Sequence, residues 1–347
     1  MAHDGKSPGG KSPEGLGGLG PRRISDLIRL HVIVAVWGFT AILGKLIQLP
    51  AVEMVFLRSL ISAVTLGVWF AISHRWSKRS VPASADASVA PVKRKRVWPD
   101  RKNALGLLSV GALIGVHWVM LFAAVNLSNV SVATVGLMTL SLWTAITEPL
   151  LLAGRRAQVH QFVFGGVILL AVMMIFGTQT QDMGLGFAMG MGAAALAAVF
   201  SVLNAKFTGR YGPDVITAYQ MVGSTAICGL ALLAAAASVA MGGGVSWLVE
   251  PAKPLRMPDA YDWFYLAVLA VVCTVYAYVE FVELLKRLTV FTILFANNLE
   301  PLYSIAMGAV LFSDYEQVNA SFYGGAAIII AAVVAQTLWS RRRREPG

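Results

Sequence analysis

The chain has 347 residues, of which 57% are hydrophobic and only 13% are charged, and its formal net charge is +10. A soluble globular domain carries about 25% charged residues, so this composition excludes a soluble protein and favours one embedded in a lipid bilayer. The basic clusters at 93–96 and 341–344 are typical of membrane topology signals, and no nucleic-acid partner is expected. Cys228 and Cys273 lie in apolar runs and indicate neither a disulfide nor a metal site.

The first 26 residues are rich in glycine, proline and lysine and contain no apolar run. Residues 1–26 are therefore predicted to form a disordered cytoplasmic tail and not a signal peptide. Beyond this tail come repeated stretches of about 20 mostly apolar residues, the length that crosses a bilayer. We predict ten transmembrane helices, at 27–47, 52–73, 104–125, 130–153, 159–177, 183–206, 214–239, 262–285, 289–312 and 318–339.

Lysine and arginine between these helices fall almost entirely on one side of the bilayer. With the N-terminus inside, the outside connections hold only Lys253 and Arg256, whereas the inside segments include the basic loop 74–103 and the tail 340–347. Positive residues are retained on the cytoplasmic side. We therefore predict cytoplasmic termini in a bacterial inner (plasma) membrane, with the charges of loop 74–103 near anionic headgroups.

The two halves of the chain resemble each other. "FVFGGVILLAVMM" near 162 matches "SFYGGAAIIIAAVV" near 321, which aligns the glycine pairs 165–166 and 324–325 at an offset of 159. The predicted repeats, 27–177 and 183–339, each cross the bilayer an odd number of times, so they must be inverted. Inverted repeats are typical of alternating-access transporters with a substrate site near the midplane. The predicted fold is an all-α membrane protein, with ten transmembrane helices as two inverted five-helix repeats around a central cavity.

Polar side chains inside apolar helices are tolerated when they face a cavity or a neighbouring helix. On that basis we expect a set of polar and aromatic residues to bind substrate. The set is Trp37, Lys45, Arg58, His117, Trp118, Ser141, Gln220, Tyr276, Asn297 and Glu300.

Arg58 is the preferred anchor for an anionic substrate group because its planar guanidinium matches a carboxylate or a phosphate. Lys45 has three open interpretations: it reaches the headgroups, pairs with Glu53, or faces the outer mouth of the cavity. Gly38, beside Trp37, is expected to allow close helix approach.

Glu300 is a candidate proton carrier or partner for a substrate ammonium group, and the alternative is a neutral carboxyl bonded to a neighbouring helix. His117 is a second candidate for proton coupling, with a packing histidine as the alternative. Glu148 and Glu280 lie toward the cytoplasmic side and are candidates for an inner gate. No metal or cofactor is expected.

Several motifs are similar to those of EamA-type transporters of the drug/metabolite transporter superfamily. They are "WGF" at 37–39, "FLRSLIS" around Arg58, "NLEPLYSIAMGAVLF" at 298–312 and "GGAAIIIAAVV" at 324–334. The resemblance covers roughly residues 27–339. It implies two EamA repeats and a cavity lined by helices one to four and six to nine, with helices five and ten at the periphery.

Two features depart from the family pattern. The usual Gly-Glu after helices four and nine reads Gly154-Arg155 and Ser313-Asp314 here, and the basic loop after helix two is long. Characterised relatives export amino acids and other metabolites, or carry nucleotide-sugars and sugar phosphates. The departures bear on the substrate and leave the expected fold unchanged.

The sequence favours a secondary transporter, in particular an exporter of small polar metabolites such as amino acids. A nucleotide-sugar or sugar-phosphate exchanger ranks lower, because phosphate calls for more cavity cations than Arg58 and Lys45. An intramembrane enzyme is disfavoured by the lack of a zinc-protease or serine-hydrolase motif. A membrane scaffold or sensor, and assembly as a homodimer, stay open as alternatives.

Overall fold

The computed structural model describes residues 21–79, 97–128, 133, 136–176, 184–242, 256–300, 302–304, 306–307 and 320–342. Across these ranges the regular structure is helical throughout. The α-helices are α1 (Pro21–Leu46), α2 (Ala51–Arg79), α3 (Arg101–Leu127), α4 (Leu140–Leu151), α5 (Val159–Phe176), α6 (Gly184–Phe207), α7 (Pro213–Ala240), α8 (Ala260–Ala270), α9 (Ala277–Leu284), α10 (Val290–Ala296) and α11 (Ala320–Arg342).

Each of the ten predicted spans contains a described helix. Helices α8 and α9 belong to one span, because the π-helical segment Val271–Tyr276 joins them without a break. A 3-10 turn, Asn297–Leu299, continues α10. Within the described ranges, six helices are long and apolar enough to cross a membrane, and two shorter apolar stretches lie in α5 and α11.

Side-chain caps fix where several helices begin. Asp259 accepts a hydrogen bond from the backbone N–H of Asp262 (2.8 Å), and a reciprocal bond completes a capping box at the start of α8. Thr289 caps α10 by accepting from the N–H of Thr292 (3.1 Å). Pro213 opens α7, where its missing N–H costs nothing. These caps stabilise helix ends at the connections between predicted spans.

The two repeats make the same helix contacts. Helix α2 packs on α7, α4 on α10 and α5 on α11, and each of these pairs joins a helix to its counterpart in the other repeat. In the first repeat α3 packs against α6 and α7, and in the second the α8–α9 span packs against α1 and α2. The third helix of each repeat therefore packs against the first two helices of the other repeat, which is the pattern expected of two repeats related by a twofold axis.

Glycines allow the closest of these contacts. A Cβ on Gly38 would lie 2.9 Å from the carbonyl oxygen of Glu300, so α1 can approach that segment only because the position lacks a side chain. A Cβ on Gly111 would overlap the backbone of Gln220, which brings α3 and α7 into backbone contact. The expectation that Gly38 permits close helix approach is confirmed.

Candidate functional site

A cavity of about 550 Å³ occupies the centre of the bundle. Residues of α1, α2, α3, α4, α6, α9 and α10 line it, together with Ala133 and Leu137 before α4 and Asn297 and Glu300 after α10. It extends from Gln48 and Leu49, in the turn between α1 and α2, to Tyr278 and Phe281 on α9. Its volume lies within the range of small-molecule sites.

Arg58 forms one polar wall of this cavity. The residue is 2% exposed, and its guanidinium carbon lies 3.9 Å from the centroid of the Trp118 ring. Its Nε donates a hydrogen bond to Oγ1 of Thr274 (3.1 Å), while its Nη1 finds no hydrogen-bond acceptor among the described atoms. The stacking and the bond hold the guanidinium in place. A fixed guanidinium with an unused donor is suited to bind an anionic group.

Thr274 meets Arg58 because of the π-helical segment. The Thr274 hydroxyl lies 2.8 Å from the carbonyl oxygen of Leu269, five residues earlier, and Ser62 on α2 donates to the carbonyl of Ala270 (3.1 Å). A π-helical turn leaves carbonyls open to such side-chain donors, and π-turns occur frequently at functional sites. The segment therefore both supports Arg58 and ties α2 to the α8–α9 span.

Glu300 and Asn297 form a second polar wall of the cavity. Both residues line the cavity. Asn297 begins the 3-10 turn Asn297–Leu299, and Glu300 follows that turn directly. No cation in the described part of the chain pairs with the Glu300 carboxylate, and Oδ1 of Asn297 has no donor there. This wall consequently offers hydrogen-bond acceptors, whereas the Arg58 wall offers a donor.

Two residues with hydroxyl groups, Thr40 and Ser201, also line the cavity. Oγ of Ser201 is buried and makes no hydrogen bond to the described atoms. An unsatisfied buried polar atom costs about 1–3 kcal/mol. The cavity is therefore prepared to receive a polar ligand or ordered water.

His117 lines the cavity but is held by a neighbouring helix. Its Nδ1 lies 2.7 Å from the carbonyl oxygen of Ala193 on α6, and because a carbonyl can only accept, Nδ1 carries the proton and donates. The ring also packs edge-on against Phe200, with centroids 5.4 Å apart. These contacts favour the packing alternative for this histidine and leave Nε2 as its remaining polar atom.

Six of the residues predicted to bind substrate line this cavity. They are Trp37, Arg58, His117, Trp118, Asn297 and Glu300. The side chain of Lys45 lies outside the described residues. The other three lie away from the cavity lining, as follows.

Tyr276 is 47% exposed on the bundle surface, and Tyr278 lines the cavity in its place. The extra residue in the π-helical segment rotates the positions that follow it, so a regular helical spacing points to the wrong tyrosine. Ser141 is fully buried, with its Oγ 3.4 Å from the position of a Cβ on Gly165, and it contributes to packing between α4 and α5.

Gln220 is buried beneath the cavity lining in a hydrogen-bonded chain. Its Nε2 donates to Oδ1 of Asn204, and Nδ2 of Asn204 donates to the Tyr278 hydroxyl (2.7 Å). The chain links α7 and α6 to the cavity through Tyr278. Oε1 of Gln220 has no partner among the described atoms, but the two bonds of the chain place Gln220 to position Tyr278, and Gln220 does not itself line the cavity.

Four further aromatic residues of the lining were missed by sequence reasoning. Phe122, Phe200, Tyr278 and Phe281 all line the cavity. In an apolar helix an aromatic residue that faces a cavity cannot be told by hydropathy from one that faces lipid or a neighbouring helix. The weak signal was position: Phe122 and Phe281 lie on helices that also carry the candidate polar residues His117 and Glu280.

One end of the bundle is joined by ion pairs. Arg29 on α1 donates from Nε to Oε2 of Glu280 on α9 (2.8 Å). Asp26 accepts from Nη1 of Arg287 (2.7 Å), and Glu283 accepts from Lys286 (2.6 Å) and Arg287 (3.1 Å). The carboxylate of Asp26 raises the pKa of the Arg287 guanidinium above its usual range. We call this cluster the ion-paired end, and the turn at Gln48–Ala51 the open end.

Glu148, the other candidate for an inner gate, lies near the end of α4. It is 4% exposed, its Oε1 lies 3.7 Å from Nε of Arg155, and its Oε2 has no partner among the described atoms. Within the described ranges no group of His, Cys, Asp and Glu side chains is arranged to hold a metal ion.

Comparison with known proteins shows the family of this chain and a structure of similar fold. The model of the EamA-like transporter family matches residues 27–177 and again 184–337. A solved structure whose title reads only "Crystal structure of protein" covers 93% of this chain and 99% of its own, with a TM-score of 0.65 and 15% identity, which supports the fold alone. No curated protein matches the sequence. The chain therefore belongs to the EamA-like transporter family, within the drug/metabolite transporter superfamily, and is an integral, multi-pass membrane protein.

Proposed function

We propose that the protein is a secondary transporter that exports small polar metabolites, in the first place amino acids, by alternating access. The observation that carries the proposal is the pairing of opposite charges in one cavity. Arg58 and Glu300 both line the cavity, and none of the ion pairs among the described residues joins Glu300 to a cation. A zwitterionic solute satisfies both walls at once.

The rest of the lining suits the remainder of such a solute. Thr40 and Ser201 offer hydroxyls, and the aromatic side chains offer apolar surface for a substrate side chain. Ligand sites commonly combine an apolar wall with a few convergent polar groups that set orientation. We therefore propose that the cavity recognises the ammonium and carboxylate groups of an amino acid and accepts different substrate side chains.

The membrane arrangement follows from the charge distribution along the sequence. We propose ten crossings with the tails 1–26 and 340–347 in the cytoplasm of a bacterium, and the repeats 27–177 and 183–339 in its inner membrane. The open end then faces outward and the ion-paired end faces inward. In alternating access the inward side must open, so Glu280 and Glu148 are proposed to act in an inner gate.

Proton coupling through Glu300 or His117 is the narrower part of the proposal. Glu300 is the stronger candidate because its carboxylate faces the cavity without a paired cation in the described residues. A nucleotide-sugar or sugar-phosphate exchanger ranks second. Arg58 is the one cation that lines the described cavity, and a phosphate group calls for more positive charge.

The test is a comparison of metabolites inside and outside cells that overproduce the protein. We expect a small set of zwitterionic solutes to accumulate in the medium with the wild type and not with Arg58→Ala at equal membrane levels. The matched control is Arg256→Ala, which removes an arginine that bonds to Gln48 and Asp262 and lies outside the cavity lining. Identical profiles for the wild type and Arg58→Ala would contradict the proposal.

A further inference from the structure

The predicted fourth and ninth helices are interrupted at equivalent places. In the fourth, residues 138–139 form a turn just before α4 begins at Leu140. In the ninth, the 3-10 turn Asn297–Leu299 directly follows α10. The offset of 159 that aligns the two repeats places 138–140 on 297–299, and both interruptions border the central cavity, which Leu140 and Asn297 line. Each repeat therefore carries the same break beside the proposed substrate site.

At each break, one side chain is bonded to the backbone carbonyl three residues earlier. Thr139 donates from Oγ1 to the carbonyl oxygen of Gly136 (2.7 Å), and Asn298 donates from Nδ2 to that of Phe295 (2.8 Å). The same offset aligns the two donors with each other and the two acceptors with each other. Such bonds compete with the helical backbone bonds and bend helices, and a 3-10 stretch within a helix often marks a hinge.

The parts of these two helices nearer the open end are held by backbone contacts. A Cβ on Gly136, just before the first break, would lie 2.7 Å from the carbonyl oxygen of Phe187 on α6. A Cβ on Gly38 of α1 would lie 2.9 Å from the carbonyl oxygen of Glu300, just after the second break. Backbones in such close contact leave little room for movement. These parts therefore belong to the fixed portion of the bundle.

Beyond the breaks, on the side of the ion-paired end, α4 and α10 pack on each other. The turn that carries Arg287 of that end leads directly into α10. Helix α10 meets α5 through rings: the centroids of Phe295 and Phe164 lie 5.8 Å apart, and those of Phe291 and His160 lie 6.5 Å apart. Side-chain contacts of this kind can slide when packed helices shift. Helices α4 and α10 are thus placed to move as a pair.

We propose that Thr139 and Asn298 are the hinge residues of the inner gate, about which α4 and α10 turn together against α5 and α6. The turn opens the central cavity toward the ion-paired end. The inference rests on the proposed alternating access and identifies its moving part, which includes Glu148 at the end of α4. Leu150 lies about 16 Å along the helix from Thr139, so a turn of about 20° moves it by about 5–6 Å.

The experiment measures distances between two spin labels in the full chain in lipid nanodiscs, after the native cysteines are replaced by alanine. Labels at Leu105 on α3 and Leu150 on α4, which are 66% and 76% exposed, report on the inner gate. Labels at Leu127 on α3 and Val239 on α7 report on two helices that pack on each other and carry neither break. We expect two distances that differ by about 5 Å for the first pair and one distance for the second.

The variant that tests the hinge residues is Thr139→Ala combined with Asn298→Ala, which removes both side-chain bonds. We expect only one of the two inner distances to remain, and maximal flux to fall about tenfold with substrate affinity unchanged. Thr144→Ala is the matched control, because it removes a similar bond, to the carbonyl of Leu140 (2.7 Å), from within regular α4. It is expected to keep both distances.

A single inner distance in the wild type, or two distances that persist without Thr139 and Asn298, would overturn the inference. The spin labels report on the helices without any added solute. Failure of amino-acid export therefore leaves the hinge measurement intact. Conversely, export by a protein with a single inner distance would contradict the hinge alone and leave the proposed substrate class standing.

Discussion

The two ends of the bundle differ in what α1 contacts there. At the open end, Gln48 and Leu49 belong to the cavity lining, so the space reaches the turn between α1 and α2. At the ion-paired end, Asp26 and Arg29 on α1 are bonded to Arg287 and Glu280. The C-terminal end of α1 therefore borders the cavity, and its N-terminal end is held by ion pairs.

The difference shows how an inverted repeat can be chemically asymmetric. At the offset of 159, Asp26 and Arg29 correspond to Leu185 and Ala188 at the start of α6, where no charges occur. There, Gly186 packs directly against Ser128, and a Cβ on Gly190 would lie 2.7 Å from the carbonyl oxygen of Ala133. One repeat thus fastens its first helix with ion pairs and the other with glycine packing.

Gly38→Leu is expected to have the largest effect. A Cβ at this position already falls 2.9 Å from the Glu300 carbonyl oxygen, so a leucine forces α1 away from the acceptor wall. Overpacking of this kind costs about 1–3 kcal/mol, and transport should be lost in flux assays at equal protein levels. Gly67→Leu on α2 is the control, because nothing lies within 4 Å of its Cβ position. Normal transport by Gly38→Leu would show that the close contact is dispensable.

Charge exchange at the ion-paired end should have the next largest effect. Arg29→Glu places a second carboxylate beside Glu280 and is expected to loosen this end, whereas Arg29→Glu combined with Glu280→Arg restores the pair. The readout is thiol labelling of Leu285→Cys, which is 7% exposed, after the native cysteines are replaced by alanine. Labelling should rise about tenfold in the single variant and return to the starting rate in the double one. If labelling is the same in the wild type, the single variant and the double variant, these ion pairs do not keep this end of the bundle closed.

Thr274→Val tests whether the hydrogen bond from Arg58 to Thr274 holds the guanidinium in its position for substrate binding. The change keeps the shape of the side chain and removes the hydroxyl that accepts from Arg58 Nε. A hydrogen bond to a charged group is worth about 1.5–3 kcal/mol, and substrate affinity should fall about tenfold while maximal flux changes less. Thr225→Val removes an ordinary bond from Thr225 Oγ1 to the carbonyl of Met221 and serves as the control. An equal loss in both variants would indicate a general effect on packing.

Tyr278→Phe is expected to have the smallest effect. It removes the hydroxyl that accepts from Asn204 and leaves the ring in the cavity wall. A neutral hydrogen bond contributes about 1 kcal/mol, so substrate affinity should weaken about fivefold in a binding assay. Tyr261→Phe, at a 75% exposed position, is the control. An unchanged affinity would place the Gln220–Asn204 chain outside the recognition of substrate.

Hydropathy and charge along the sequence were sufficient to predict where the helices lie. Runs of about 20 apolar residues have no soluble alternative, and every predicted span contains a described helix. The pairing of Glu283 with Lys286 and Arg287 obeys a local rule of the same kind, because residues three and four apart in a helix share a face. Local rules of this kind do not depend on tertiary structure.

The site was predicted less completely, for identifiable reasons. Tyr276 was chosen over Tyr278 because a π-helical turn changes the helical register and has no sequence signature of its own. Thr274 and Phe200 were missed because neither stands out in an apolar run. Gln220 was correctly read as facing inward, but whether an inward polar residue meets a cavity or another polar side chain depends on packing between helices.

The central claim is that Arg58 and Glu300 together recognise a zwitterion, and binding to the purified protein tests it most directly. Affinities would be measured for one amino acid, its methyl ester and its N-acetyl derivative. We predict that the wild type prefers the zwitterion, that Arg58→Gln loses discrimination against the ester alone, and that Glu300→Gln loses discrimination against the acetylated form alone. If both variants weaken all three ligands equally, the two side chains do not contact opposite ends of the substrate, and the account is wrong.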